Sequence, residues 1–261
     1  MGRVNAIRTT IGLFAIVAFG CMMVPVLTIK EKDYVDSKPA EGTALSSLMK
    51  TFRNKDFRIF VGSDILYWIG LTMFQTGLPF FVTSLLKLPE NMSFIYFALM
   101  TAMSLVFYLP INLAVKKFGK KKLVIVAFIG FALAYAYTAF LGKQIPIDPT
   151  IQGYILAIVA ALPMAIFGIL PQAMVADVSQ SDAITTGENR EGMFYAARTF
   201  AFKLGQSVSM LMFTAIATIG TNGLGYRIAA IVAACFCLCG GAVLFAFNEK
   251  KINQIIHTVQ K

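Results

Sequence analysis

The stretch GENREGMFYAARTFAFKLGQSVSMLMF, residues 187–213, decides how the rest of the chain is interpreted. After a charged start it becomes an apolar run long enough to cross a bilayer, for which a helix needs about 20 residues. Arg198 and Lys203 nevertheless lie inside this run, where a positive charge is costly. Such residues usually face the interior of a helix bundle or a water-filled cavity, so both are candidates for a functional site.

The composition of the whole chain indicates a membrane protein. The chain is 57% hydrophobic and 14% charged, with a mean hydropathy of +0.72, which is outside the range of a soluble domain. Apolar runs of about 20 residues recur seven times between short charged patches. We place these runs near residues 11–29, 59–86, 93–115, 123–141, 151–175, 192–219 and 226–247. We therefore predict an all-α integral membrane protein with seven transmembrane helices.

The net charge of +10 is distributed as a topology signal. Alternate connections on one side contain 16 Lys and Arg residues; these are residues 30–58, 116–122, 177–191 and 248–261. The connections on the other side contain only Lys87 and Lys143. The positive-inside rule then places the carboxyl terminus and KKFGKKK (116–122) in the cytoplasm. The basic excess therefore indicates a lipid bilayer as the partner rather than nucleic acid.

The sequence offers no catalytic or metal-binding pattern. The four cysteines lie in apolar runs and lack C-x-x-C spacing, so packing is favoured over a metal or redox site; they are Cys21, Cys235, Cys237 and Cys239. The single histidine, His257, lies in the polar tail. We find no nucleophile–base set and no phosphate-binding loop. We therefore expect neither an enzyme nor a bound cofactor or metal.

The apolar and polar segments define four regions. They are a first transmembrane helix in 1–29, a cytoplasmic linker in 30–58, a six-helix bundle in 59–247 and a cytoplasmic tail in 248–261. The linker includes an amphipathic piece near residues 45–57 that we expect to lie against the membrane. A cleaved signal peptide is the alternative for the first segment, since Arg3 and Arg8 precede AFGC (18–21). The apolar run continues past Cys21, which favours a transmembrane helix.

Residues 171–206, PQAMVADVSQSDAITTGENREGMFYAARTFAFKLGQ, carry a specific family pattern. They resemble the signature of the glycoside–pentoside–hexuronide:cation symporters, the melibiose-carrier-like branch of the major facilitator superfamily. The matching positions are Pro171, Ala173, Met174, Ala176, Asp177, Asp182, Thr186, Gly187, Glu191, Gly192, Tyr195 and Lys203. One helix, a long loop and six helices is also the order of the sixth to twelfth helices of such a transporter. The chain thus resembles the carboxyl-terminal part of that family.

The resemblance implies a function and a set of partners. It implies symport of a sugar or glycoside, coupled to Na⁺ or H⁺, across the bacterial inner membrane by alternating access. The family's cation-binding acidic residues lie on the amino-terminal helices, which this chain lacks. We therefore expect a separate amino-terminal half as a possible partner. A seven-helix receptor or sensor and a non-transporting membrane subunit remain the alternatives.

Several positions depart from the family pattern. Gln180 and Ala183 stand where the family often has acidic residues, and Arg198 stands where it has Gln. The family aromatic that stacks on sugar aligns with Gly168, which leaves neighbouring Phe167 as a substitute. We therefore expect a substrate that differs from a simple galactoside, with Phe167 as one of its contacts.

Lys203 is the central candidate for substrate binding. It follows Glu191 by 12 residues, so it lies about 18 Å along the helix. That depth is near the middle of a hydrocarbon core about 30 Å thick. At helical spacing its face also carries Thr199, Gln206 and Ser207. These groups together can hydrogen-bond several sugar hydroxyls, and the matching family Lys contributes to the sugar site. The alternative is a Lys neutralised by a structural partner.

The span 59–86 provides a second set of substrate candidates, Gln75 and Thr76, near its middle. Helix-breaking residues interrupt this span; they are Gly70, Gly77 and Pro79. Interrupted helices often line transporter sites, although simple packing explains the same residues.

Arg198 is a candidate for a structural or gating ion pair. Its five-residue offset turns it about 140° from Lys203, and it lies about 10 Å from the cytoplasmic end of its helix. Asp64 lies at a similar depth and is its expected partner, in a pair that would break when the carrier opens inward. Further ion-pair candidates flank the cytoplasmic connection; they are Asp177, Asp182, Glu188, Arg190 and Glu191. A solvated loop is the alternative for this group.

Overall fold

The computed structural model of the chain describes residues 3–28, 43–142 and 144–259. Over these ranges the secondary structure is helical without a strand, and seven of the helices are long and apolar enough to cross a membrane. The prediction of an all-α integral membrane protein is therefore confirmed. The chain divides into two units, Met1–Pro39 and Ala40–Lys261.

The first unit contains helix α1, Arg3–Thr28, in which an 18-residue window of the candidate span Asn5–Thr28 has a mean hydropathy of 2.3. The helix begins at Arg3, eight residues before the predicted apolar run, so the polar residues ahead of that run are helical as well. There the hydroxyls of Thr9 and Thr10 donate to backbone carbonyls one turn earlier. Residues 29–42, and with them much of the predicted linker 30–58, lie outside the described residues.

The second unit begins with two helices that meet at Asn54. Helix α2 spans Ala44–Arg53, and helix α3 spans Lys55–Phe80. The side chain of Asn54 accepts a hydrogen bond from the backbone N–H of Phe57 at 3.1 Å and so caps α3. The amphipathic piece predicted near 45–57 is therefore divided between two helices, and α3 begins four residues before the predicted boundary at 59.

Helix α3 changes geometry near its end, continuing as one π-helical stretch, Phe81–Leu85. Pro79 lies just before this stretch and has no N–H to donate to the helical ladder. Six more helices follow: α4 Asn91–Phe118, α5 Lys120–Ala139, α6 Pro149–Thr186, α7 Glu191–Ala217, α8 Leu224–Leu244 and α9 Glu249–Val259.

Helix α6 continues 11 residues past the end of its apolar run. The run ends near residue 175, whereas the helix continues through ADVSQSDAITT to Thr186. No Gly or Pro interrupts this polar segment before Gly187, which adopts a left-handed conformation with φ of 72°. Asp177 and Asp182 therefore lie on a helix rather than on a loop.

Packing in the second unit places α3 against α7 and α8, α5 against α6 and α8, and α4 against α6. The largest fully buried aromatic side chains form its core; they include Phe57, Phe74, Phe128, Phe131 and Tyr135. Helices α3 and α7 approach closely because their contact contains small residues. A Cβ on Gly205 would lie 3.2 Å from the carbonyl oxygen of Ile65, and Ser209 Oγ donates to Ile69 at 2.8 Å.

Of the three cysteines on α8, Cys237 packs against a neighbouring helix. Cys237 is buried, and a Cβ on Gly70 of α3 would lie 2.9 Å from its sulfur. Cys235 and Cys239 are exposed, and all three are free thiols. Cys237 thus fills the α3–α8 contact as a small apolar residue.

Contacts between helix ends define what we call the charged end of the second unit. It contains residues 50–56, 116–122, 177–191 and 245–252, which are joined by the polar contacts described below. Helices α3 and α7 both begin at this end, so they run parallel and their residues can be compared by depth. The polar tail 248–261 includes α9, which packs against α6 through buried Ile252.

Candidate functional site

A polar stripe on α7 lies uncovered by the rest of the second unit. Thr199, Lys203 and Ser207 are exposed, and Gln206 is half-buried. Ser207 Oγ donates back to the carbonyl of Lys203 at 3.0 Å. The stripe follows from helical spacing, since these residues recur at i, i+4, i+7 and i+8. The structure therefore presents the predicted substrate residues of α7 on one open face.

Lys203 is a cation in the middle of a membrane-spanning helix. Its Nζ has no ion-pair partner in 43–142 or 144–259. The ammonium instead lies 5.2 Å from the ring centroid of Phe202, within range of a cation–π contact. An uncompensated cation at this depth requires water or a further partner against the stripe.

The residues predicted on α3 lie beyond Lys203 in depth. Trp68 of α3 stacks on Phe202 of α7, which fixes the level at which the two helices meet. Gln75 is exposed and Thr76 is half-buried, and Gln75 follows Trp68 by two helical turns, about 10 Å. These candidates therefore lie on the neighbouring helix, farther from the charged end than Lys203.

Phe167 occupies a different place from the other substrate candidates. It is buried, and its ring stacks on Tyr67 with centroids 3.8 Å apart and an interplanar angle of 11°. Phe128 meets it edge-on at 4.8 Å. The structure therefore places Phe167 in the aromatic core between α3, α5 and α6 and does not bring it to the exposed stripe of Lys203.

Asp64 and Arg198 form a buried pair between α3 and α7. Arg198 Nε donates to Asp64 Oδ2 at 2.9 Å, and Arg198 Nη2 donates to Oδ1 at 3.1 Å. The guanidinium also lies 5.8 Å from the ring centroid of Phe60. Because two parallel hydrogen bonds fix the orientation as well as the distance, this pair sets the register of the two helices. The structure thus joins the two residues that the sequence singled out.

A second network joins α2, α6 and the loop before α7. Asp182 accepts hydrogen bonds from Arg190 Nη2 at 2.6 Å and from Asn54 Nδ2 at 3.0 Å. Glu188 accepts from Lys50 Nζ at 2.8 Å, and this bond holds the pKa of Glu188 below its usual value. The α6–α7 connection is therefore tied to the helix that precedes the transmembrane bundle.

The two remaining predicted ionic residues, Asp177 and Glu191, do not take part in the network of Asp182 and Glu188. Asp177 pairs with Lys120 at 2.5 Å, which links α6 to the start of α5. Glu191 is exposed at the first position of α7 and forms no salt bridge within the described ranges. Reasoning from the sequence missed Lys50, Lys120 and Asn54 as partners. The basic run at 116–122 contains Lys120 and is a topology signal that does not by itself indicate which carboxylate this lysine pairs with.

Glu249 of α9 makes a further contact that the sequence did not suggest. Its carboxylate accepts hydrogen bonds from the backbone N–H groups of Lys120 at 2.6 Å and Lys121 at 3.1 Å. Lys121 Nζ in turn donates to the carbonyls of Phe245 and Phe247 at the end of α8. The carboxylate thus caps the amino end of α5, and the lysine caps the carboxyl end of α8.

The described residues contain no cluster of three or more His, Cys, Asp or Glu side chains that could hold a metal ion. The open face offers the hydroxyls of Thr199 and Ser207, the ammonium of Lys203 and the amide of Gln206 for hydrogen bonding.

Comparisons with known proteins give consistent matches. Residues 4–234 match the family described as MFS/sugar transport protein. A protein of Synechocystis named "uncharacterized symporter" is 26% identical over 183 residues, covering 68% of this chain and 33% of the relative. The uncharacterized symporter YjmB of Bacillus subtilis is 29% identical over 217 residues, covering 82% of this chain and 45% of the relative. The matched region thus spans less than half of either relative. No solved structure matches the chain significantly.

Proposed function

Because the chain belongs to the MFS/sugar transport protein family, we propose that it is the carboxyl-terminal part of a membrane carrier for a sugar or glycoside. The observation that carries this proposal is the open stripe of Thr199, Lys203 and Gln206 at the middle of a membrane-spanning helix. Sugar hydroxyls require several directional hydrogen bonds, which ammonium, hydroxyl and amide groups provide. Gln75 and Thr76 extend the proposed surface along α3.

The carrier works as a symporter in this proposal. Both relatives are named symporters, which supports coupling of the sugar to a cation, Na⁺ or H⁺. The resemblance to the melibiose-carrier branch assigns the coupling site to an amino-terminal half. In the whole carrier that half faces the Lys203 stripe and adds further contacts, whether it belongs to a longer chain or to a separate protein, while the stripe itself binds the sugar. The two halves then rock about a site near the midplane to expose it alternately.

We further propose the bacterial inner membrane as the location, with the charged end in the cytoplasm. The support is the excess of Lys and Arg in the connections at that end, together with the positive-inside rule. The ionic contacts of Asp177, Asp182 and Arg190 then hold neighbouring helices together on the cytoplasmic side. Glu191, which begins α7 and forms no salt bridge within the described ranges, then pairs across to the other half.

The Asp64–Arg198 pair has a structural role in this scheme. Both residues belong to helices of the second unit that pack closely through Gly205 and Ser209. Rocking of whole halves leaves such a contact intact. We therefore assign the pair to fixing α7, and with it Lys203, rather than to a gate that opens in each cycle.

Binding to the purified protein tests the proposal. Radiolabelled glucose, galactose, xylose and glucuronate are added to the chain in lipid nanodiscs, and retained label is measured by equilibrium dialysis. Substituting Lys203→Ala removes a charged hydrogen-bond donor, which should weaken binding about 10- to 100-fold. The proposal is wrong if no sugar binds or if Lys203→Ala binds as tightly as the native chain.

Lys117→Ala is the matched control. Lys117 is exposed on α4, and its Nζ lies 5.4 Å from the ring of neighbouring Phe118, much as Lys203 lies beside Phe202. It belongs to the charged end rather than to the midplane stripe. Loss of this lysine should leave sugar binding unchanged, so an equal effect of both substitutions would contradict a substrate site at Lys203.

A further inference from the structure

An aromatic pair connects the two helices beside the Lys203 stripe. The rings of Trp68 on α3 and Phe202 on α7 stack with centroids 4.7 Å apart and an interplanar angle of 25°. Both side chains are only half-buried. The Lys203 Nζ lies 5.2 Å from the centroid of the Phe202 ring. The aromatic pair and the ammonium group therefore form one continuous patch at the same depth along α7.

Neighbouring side chains of the bundle pack against Trp68. Tyr67 lies 5.3 Å from Trp68, and Tyr67 itself stacks on buried Phe167. On the α7 side, the position of Gly205 allows close contact, since a Cβ there would lie 3.6 Å from Trp68 Cβ. A half-buried aromatic ring packed in this way keeps its orientation when a ligand arrives, which lowers the entropy lost on binding.

The indole presents carbon surface rather than a hydrogen-bond donor. Its Nε1 is enclosed on the side of Asp64, so this donor is not offered to a ligand. The uncovered part of the indole is therefore carbon surface. A cyclic sugar has complementary chemistry, because its C–H face is apolar and its hydroxyls point outward to polar neighbours.

We propose that Trp68 and Phe202 form the apolar wall of the substrate surface, on which the C–H face of a pyranose ring packs while Lys203 and Gln206 bond its hydroxyls. This inference rests on the proposed sugar transport and adds that the Trp68–Phe202 wall determines which sugars bind. It selects sugars with an apolar ring face of pyranose size. It disfavours open-chain polyols of the same hydroxyl content, because they present no such face.

Fluorescence of the native protein gives a direct test, since Trp68 is the only tryptophan in the chain. The chain in lipid nanodiscs is titrated with glucose, galactose, xylose and glucuronate, and with sorbitol as the open-chain probe. A bound pyranose should change the Trp68 emission saturably, with a midpoint equal to the Kd from equilibrium dialysis. Sorbitol should leave the emission unchanged.

Substitutions separate a substrate contact from a structural role. Trp68→Phe keeps a ring and should bind sugar within about two-fold of native, whereas Trp68→Leu should bind about 3- to 10-fold more weakly. Phe80→Leu is the matched control, because Phe80 lies on the same helix and stacks on Tyr226 at 5.2 Å, away from Lys203. It should leave the Kd unchanged.

The outcomes are distinguishable. Binding of a pyranose without any change in Trp68 emission, or with equal affinity in Trp68→Leu, overturns the aromatic wall and leaves the proposed function standing. Equal weakening by Phe80→Leu also overturns it, since the effect would then be general to α3. Absence of sugar binding by dialysis overturns the proposed function and this inference with it. The native titration decides even if Trp68→Leu fails to fold.

Discussion

Arg198 and Asp64 meet through two parallel hydrogen bonds inside the contact between α3 and α7. Both residues are at most 5% exposed, so the pair is almost completely buried within the protein. Removing one charge from such a pair leaves the other buried without compensation, which is more costly than removing both. The stability of the bundle should therefore respond differently to single and double substitutions.

Asp64→Ala and Arg198→Ala should each destabilise the protein by about 3–5 kcal/mol, because each leaves one uncompensated buried charge. The double substitution Asp64→Ala with Arg198→Ala should recover part of this loss. Thermal unfolding of the purified chain in detergent measures the effect. Additive losses in the double variant would show that the two side chains are not energetically coupled.

Gly205 allows α3 and α7 to approach, so Gly205→Ala should weaken their contact. The added Cβ would lie 3.2 Å from the carbonyl of Ile65, and overpacking of this kind costs about 1–3 kcal/mol. Unfolding of the purified chain measures it. Gly192→Ala on the same helix is the control, since a Cβ there meets nothing within 4 Å. Equal destabilisation by both would contradict the close-packing interpretation.

Glu249 caps the amino end of α5 from another helix. Glu249→Ala should lower stability by about 1–2 kcal/mol, because two backbone N–H groups lose a charged acceptor. Hydrogen exchange should increase at Lys120 and Lys121 in particular. Glu90→Ala serves as a control, because Glu90 precedes α4 without a side-chain cap hydrogen bond. An unchanged exchange rate at the start of α5 would refute the capping role.

The contact of Glu188 with Lys50 should make the attachment of α2 sensitive to acid. The Lys50 hydrogen bond lowers the pKa of Glu188 relative to its value in the unfolded chain. The contact is therefore fully present above the unfolded-state pKa and is lost as the pH falls through the lowered folded-state pKa. Protease cleavage near α2 should be slow at pH 7 and faster at pH 3. In Glu188→Gln this particular pH step should disappear.

Much of the fold was predictable because hydrophobic length alone identifies a membrane helix. The seven apolar runs correspond to seven helices, and the motif in residues 171–206 identified the family that the match over residues 4–234 confirms. Helix ends were less predictable. Polar residues continue a helix as readily as apolar ones, so α6 extends to Thr186 without any hydropathy signal.

The candidate site was only partly predictable. Helical spacing correctly grouped Thr199, Lys203 and Gln206 on one face, because spacing along a single helix is fixed by its geometry. Contacts between helices depend on rotation and separation, which spacing does not encode. Phe167 therefore turned out to be buried against Tyr67, and the stack of Trp68 on Phe202 had no signal in the sequence.

The sequence by itself determined the membrane class, the number of spans and the presence of a cation in the middle of a membrane-spanning helix, because each depends on local composition and on the length of the apolar run. The tertiary structure decided which partners the charged groups have. Arg198 forms a salt bridge with Asp64, whereas Lys203 has no salt bridge within the described ranges and lies on an open face. The reason is geometric, since the five-residue offset from Arg198 to Lys203 turns the two side chains about 140° apart on one helix.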